Sequence, residues 1–83
     1  MDRLDAIRLL QALVAAGAKS DAPMANAWIS KVGLEIGLKG EEFHSALVYA
    51  GGQDWLDRDQ KEGWTFLTRA GEALARAQAL SRR

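Results

Sequence analysis

The sequence predicts a mainly α-helical α+β domain, with three helices, a small two-stranded hairpin and a closing helix. Three observations carry that expectation. Apolar residues recur at helical spacing in three successive segments before residue 51. Two short apolar runs, Trp55-Leu56 and Trp64 to Leu67, then flank a polar stretch, as the strands of a hairpin do. The second run ends on Thr68, whose hydroxyl is placed to cap the Ala-rich helix that follows.

In the first helix Leu4, Ile7, Leu10 and Val14 repeat on one side, Leu9 and Leu13 widen the stripe, Asp2 or Asp5 begins it and Gly17 closes it. The connector from Ala18 to Pro23 contains capping residues and the single proline. Proline suits a first helical turn, where its missing N–H is no loss, so the second helix is expected over about Met24 to Ile36. Trp28, Ile29, Val32 and Ile36 face its core side, Gly33 sits inside it as a poor helix former, and Gly37 ends it. After the turn Leu38-Lys39-Gly40, Glu41 and Glu42 fill the first turn of a third helix, where the macrodipole favours acids. Phe43, Ala46, Leu47 and Ala50 make its buried stripe, and Gly51-Gly52 stops it.

Trp55-Leu56 is then the first hairpin strand, Asp57 to Gly63 a polar loop, and Trp64 to Leu67 the second strand. Period-two alternation puts Thr65 and Leu67 on one face and Trp64 and Phe66 on the other. The last helix spans about Arg69 to Leu80, with Ala70, Ala73, Leu74, Ala77 and Leu80 on one side.

Eighty-three residues suffice for one domain, 1–83, and no internal repeat or linker divides them. No cysteine is present, which removes disulfides, thiolate metal sites and thiol nucleophiles. No run approaches the roughly 20 apolar residues of a membrane span. The acidic start Met1-Asp2-Arg3-Leu4-Asp5 is unlike a signal peptide, so a soluble, cytoplasmic protein with no membrane partner is expected.

Two runs resemble the winged-helix (winged helix-turn-helix) domains of bacterial transcription regulators. Ala46-Leu47, Ala50-Gly51-Gly52 and Trp55-Leu56 are similar to a recognition helix turning into the first wing strand. Leu67-Thr68-Arg69-Ala70-Gly71 is similar to the second wing strand entering the last helix, and the resemblance covers about Asp2 to Leu80. It implies a double-stranded DNA partner, with the third helix in the major groove and the wing on the backbone. Carried onto this chain, His44, Ser45 and Tyr49 become groove or phosphate contacts, Lys39 part of a basic rim with Lys31 and Arg69, and Arg58 and Lys61 the wing contacts. Pairing through terminal helices, common in the family, implies a homodimer, with Ala70, Ala73 and Ala77 small enough for close approach.

Charge points elsewhere. The formal net charge is zero, but residues 41–68 carry six acids against two bases, while residues 69–83 carry four bases against one acid. DNA affinity rests on cations that neutralise phosphates, so this distribution favours a protein partner. Trp64 and Phe66 fit that alternative as an aromatic face of the wing, unless Trp64 packs on Trp55 or on the last helix. Trp28 reads as core.

No catalytic constellation stands out. His44 is the single histidine and builds no metal site alone, no Gly-rich phosphate loop follows a strand, and Ser20, Ser30, Ser45 and Ser81 lack a nucleophile-elbow setting. The carboxylates of Asp57, Asp59 and Glu62 do not follow a calcium-loop pattern. The expectation is a binding domain, first a DNA-binding module of the transcription-regulator type and alternatively a protein-interaction domain, with no enzymatic activity, no metal and no cofactor.

Overall fold

A computed structural model describes residues 2–20, 22–59 and 63–81. In chain order the elements are α1 (Asp2–Ala15), β1 (Pro23–Ala25), α2 (Asn26–Glu35), α3 (Glu41–Gly52), β2 (Leu56–Asp59), β3 (Trp64–Leu67) and α4 (Arg69–Ser81). The class is α+β, as expected, but the sheet has three strands rather than two. Among the described residues no helix is long and apolar enough to cross a membrane.

The core forms around α1, which packs on α3 and α4 and more lightly on α2. Ala6, Leu9, Leu10 and Leu13 are fully buried, so the stripe is centred on that line. Leu4, expected in the stripe, is 58% exposed because helical rotation carries it to the far side. Arg8 reaches from α1 to donate a hydrogen bond to the Ile36 carbonyl at 2.8 Å, satisfying one of the orphan acceptors that end α2.

The second helix begins later than predicted. Pro23-Met24-Ala25 pairs antiparallel with β3 instead of forming a helical turn. A proline is as acceptable on an edge strand as in a first helical turn, so its missing N–H does not discriminate between them. Burial of Met24 beside Thr65 decides for the strand. The Asn26 N–H continues the ladder to the Gly63 carbonyl at 3.3 Å, and the Thr65 hydroxyl donates to Asn26 Oδ1 at 2.8 Å, so α2 starts where the sheet stops. Within α2, Ile29 and Val32 are buried, whereas Trp28 and Ile36 are only half-buried. A Cβ on Gly33 would lie 2.5 Å from the Phe43 ring, which accounts for a weak helix former at that position.

The end of α3 also differs. The helix includes Gly51 and Gly52, and the left-handed residue that stops it is Asp54, with φ 63°. Aspartate tolerates that region better than most residues, and the Trp55 N–H closes the turn on the Ala50 carbonyl at 2.9 Å. Trp55 is buried just ahead of β2, which takes in Asp57, Arg58 and Asp59. Three residues predicted as loop are therefore strand, and residues 60–62 lie outside those described.

Thr68 caps α4 as expected, accepting from the Gly71 N–H at 3.0 Å and donating to the Asp54 carbonyl at 2.6 Å. Gly71 sits so close to the Trp55 carbonyl that a Cβ there would collide with backbone. This approach sets the rotation of α4. Gly71 and Ala75 are buried and Leu74 half-buried, while Ala70, Ala73 and Ala77, predicted for the packed side, are exposed. The side chain of Leu80 lies outside the described residues.

Candidate interaction surface

Two surfaces emerge from these elements. The first is the outward side of α3. Its inward stripe, Ala46, Leu47 and Ala50, is buried against α1, which leaves Glu41, His44, Ser45 and Val48 one turn apart on the other side. Glu41, Glu42 and His44 are exposed, Ser45 and Tyr49 half-buried, and Val48 is 55% exposed. His44, Ser45, Val48 and Tyr49 line a shallow recess of about 300 Å³. Tyr49 is held from below by Trp55, with ring centroids 5.7 Å apart and tilted by 54°, an arrangement favoured by the ring quadrupoles. No Lys or Arg lies anywhere in α3.

The second surface is the outer face of the sheet, ordered β1-β3-β2. Directly opposed residues share a face. Met24, Thr65 and the Leu56–Leu67 pair are buried. On the other face Phe66 stands between Pro23 and Asp57, and Trp64 between Ala25 and Asp59. Trp64 is 41% exposed and Phe66 half-buried without packing on the core cluster, so the alternation that puts them on one face holds, whereas packing of Trp64 into the core does not. Pro23 and Ala25 join them, which the helical reading of that segment had hidden. Beyond Phe66 the face runs into an open recess of about 410 Å³ lined by Asp57, Phe66, Leu67, Thr68 and Arg69.

The predicted nucleic-acid contacts are thus only partly brought together. His44, Ser45 and Tyr49 share one recess, while Lys39 is exposed just ahead of α3. Arg58 occupies β2 opposite Thr65, but its side chain lies outside the described residues, as do Lys61 and the tail residues Arg82 and Arg83. Among the described residues no group of three or more His, Cys, Asp or Glu is gathered to hold a metal ion.

One carboxylate has a defined structural task. Glu72 of α4 accepts the Ser20 backbone N–H at 3.0 Å and the Arg76 guanidinium at 2.9 and 3.1 Å. The Ser20 amide first, and Arg76 after it, hold its carboxyl down at about 2 from an ordinary 4.5. Ser20 also bridges in parallel to Leu67, so this bond fastens the α1–β1 connector to the end of β3 and the start of α4. A third open feature, a groove of about 400 Å³ between that connector, β1 and Trp28, has Lys19 as its charged lining residue.

Comparison with known protein families, characterised proteins and solved structures gives no match to this chain.

Proposed function

We propose that the chain is a winged-helix domain that acts by binding another protein and not by catalysis. The observation that carries this reading is the outward side of α3. It offers two exposed glutamates, a largely exposed valine and no cation. The order of four helices and three antiparallel strands is compatible with a winged helix. In that arrangement α3 is the recognition helix and β2–β3 the wing. A helix bound in a major groove lies between two phosphate backbones, where Glu41 and Glu42 are repelled and nothing on α3 neutralises a phosphate. Against a protein, the same helix supplies an aliphatic contact at Val48 and a polar rim.

The same element order favours a second reading, a DNA-binding module of the transcription-regulator type. There His44, Ser45 and Tyr49 face the groove, Lys39 meets the backbone, and Arg58 and Lys61 act from the wing. Fluorescence anisotropy on a mixed-sequence duplex separates the two. Protein recognition predicts no binding even at low salt. Binding that falls steeply as salt rises would overturn that reading and install the DNA one.

A further inference from the structure

We infer that the outer face of the sheet is a docking platform for an extended, arginine-bearing segment of another protein. This names a partner chemistry for the protein-binding reading above and rests on it. The platform is continuous by register: Pro23, Phe66 and Asp57 form one cross-strand row, and Ala25, Trp64 and Asp59 the next. The small Ala25 leaves the Trp64 ring uncovered on that side, and Phe66 adds a second aromatic surface that the core does not use.

Charge selects the occupant. Asp57 is exposed, and its side chain makes no hydrogen bond or ion pair with any described residue. Arg69, which lines the same recess, is already engaged within the chain. Asp59 holds the position opposite Trp64, with its side chain outside the described residues. A carboxylate opposite an aromatic residue, as Asp57 is opposite Phe66, is the setting a guanidinium fits, since it stacks on a ring and hydrogen-bonds the carboxylate with the same planar group. Shape selects an extended chain. Three strands span only about 10 Å, and aromatic-lined shallow faces suit polyproline-type segments. A two-fold copy of this chain would set the Asp57–Phe66 row against an identical row, and Arg69, the cation that lines that recess, already has a partner within its own chain.

The test is a nuclear magnetic resonance titration of the full chain with a short Arg-Pro-Pro repeat peptide and its Glu-Pro-Pro twin. The arginine peptide is expected to shift the Trp64 indole N–H, with affinity falling as salt rises, while the glutamate twin leaves it unmoved. Asp57→Lys should weaken arginine-peptide binding by about tenfold, and Trp64→Ala should abolish it as followed by the backbone amides of β2 and β3, with far-UV circular dichroism showing both variants folded. Equal response to both peptides, response to neither, or unchanged affinity in folded Asp57→Lys would each overturn the inference. So would self-association in the ultracentrifuge that Trp64→Ala abolishes, because a second copy would then cover the face. Failure here, with no duplex binding in the anisotropy experiment, leaves protein recognition to α3. Duplex binding there removes the protein reading itself.

Discussion

The two faces of the three-stranded sheet come from alternate residues of the same strands and have opposite fates. On the inner face Thr65, although polar, is almost wholly buried, with its hydroxyl bonded to Asn26, and Leu67 is sealed against Leu56. One residue along, Trp64 is 41% exposed and Phe66 is left off the core. Hydrophobicity does not sort them, since the outer pair is the more aromatic. The sorting comes from register, because the core lies against one face and, among the described residues, Trp64 and Phe66 on the other are left off it. The inner face holds the fold together, and the outer face is free for contact.

Four substitutions break or sharpen that contrast. The largest effect is expected from Leu67→Ala, which opens a cavity under the sheet and should cost about 3 kcal/mol in urea unfolding. Gly71→Ala drives a methyl into the Trp55 carbonyl and should cost about 2 kcal/mol, despite alanine's better helix propensity. A neutral effect there would mean that α4 can tilt away from β2, and the inner seal would be looser than described.

The third test is a pH dependence. Glu72 titrates near 2 in the folded chain and near 4.5 unfolded, so its stabilising effect is complete above 4.5 and is lost as pH falls toward 2. Glu72→Gln should therefore be less stable than the parent at neutral pH, and the gap should close across that window in denaturation series. A gap that stays constant would show the Ser20 bond to be independent of charge. The smallest effect belongs to the outer face. Trp64→Ala should change unfolding free energy by less than about 1 kcal/mol. A cost near that of Leu67→Ala would place Trp64 in the core and erase the contrast.

Much of the contrast was legible before any coordinates. The alternation in Trp64 to Leu67, the Thr68 cap and the inward stripe of α3 all follow from spacing, because each is decided by residues near in sequence. What escaped was decided by partners far away. Pro23-Met24-Ala25 has no strand pattern of its own and becomes one only because the edge of β3, about forty positions later, supplies its hydrogen bonds. Asp57, Arg58 and Asp59 are weak strand formers, held extended by pairing with Phe66, Thr65 and Trp64. The packed side of α4 was misjudged by a fraction of a turn, because counting alanines cannot reveal that Gly71 must meet a carbonyl. The α3 half of the candidate surface was readable from helical spacing. The β1 half was not, since Pro23 and Ala25 reach that face only through tertiary pairing.

The proline in β1 has one more consequence. With the Asn26 N–H turned toward Gly63, the antiparallel alternation turns the Pro23 nitrogen and the Ala25 N–H toward the sheet's open side. Pro23 has no hydrogen to offer there, so a neighbouring molecule finds a single amide donor along that border of β1. Along this border a ladder to a neighbouring strand would lack every donor but one, so β1 is the blunted edge of the sheet and β2 the edge with its amides intact.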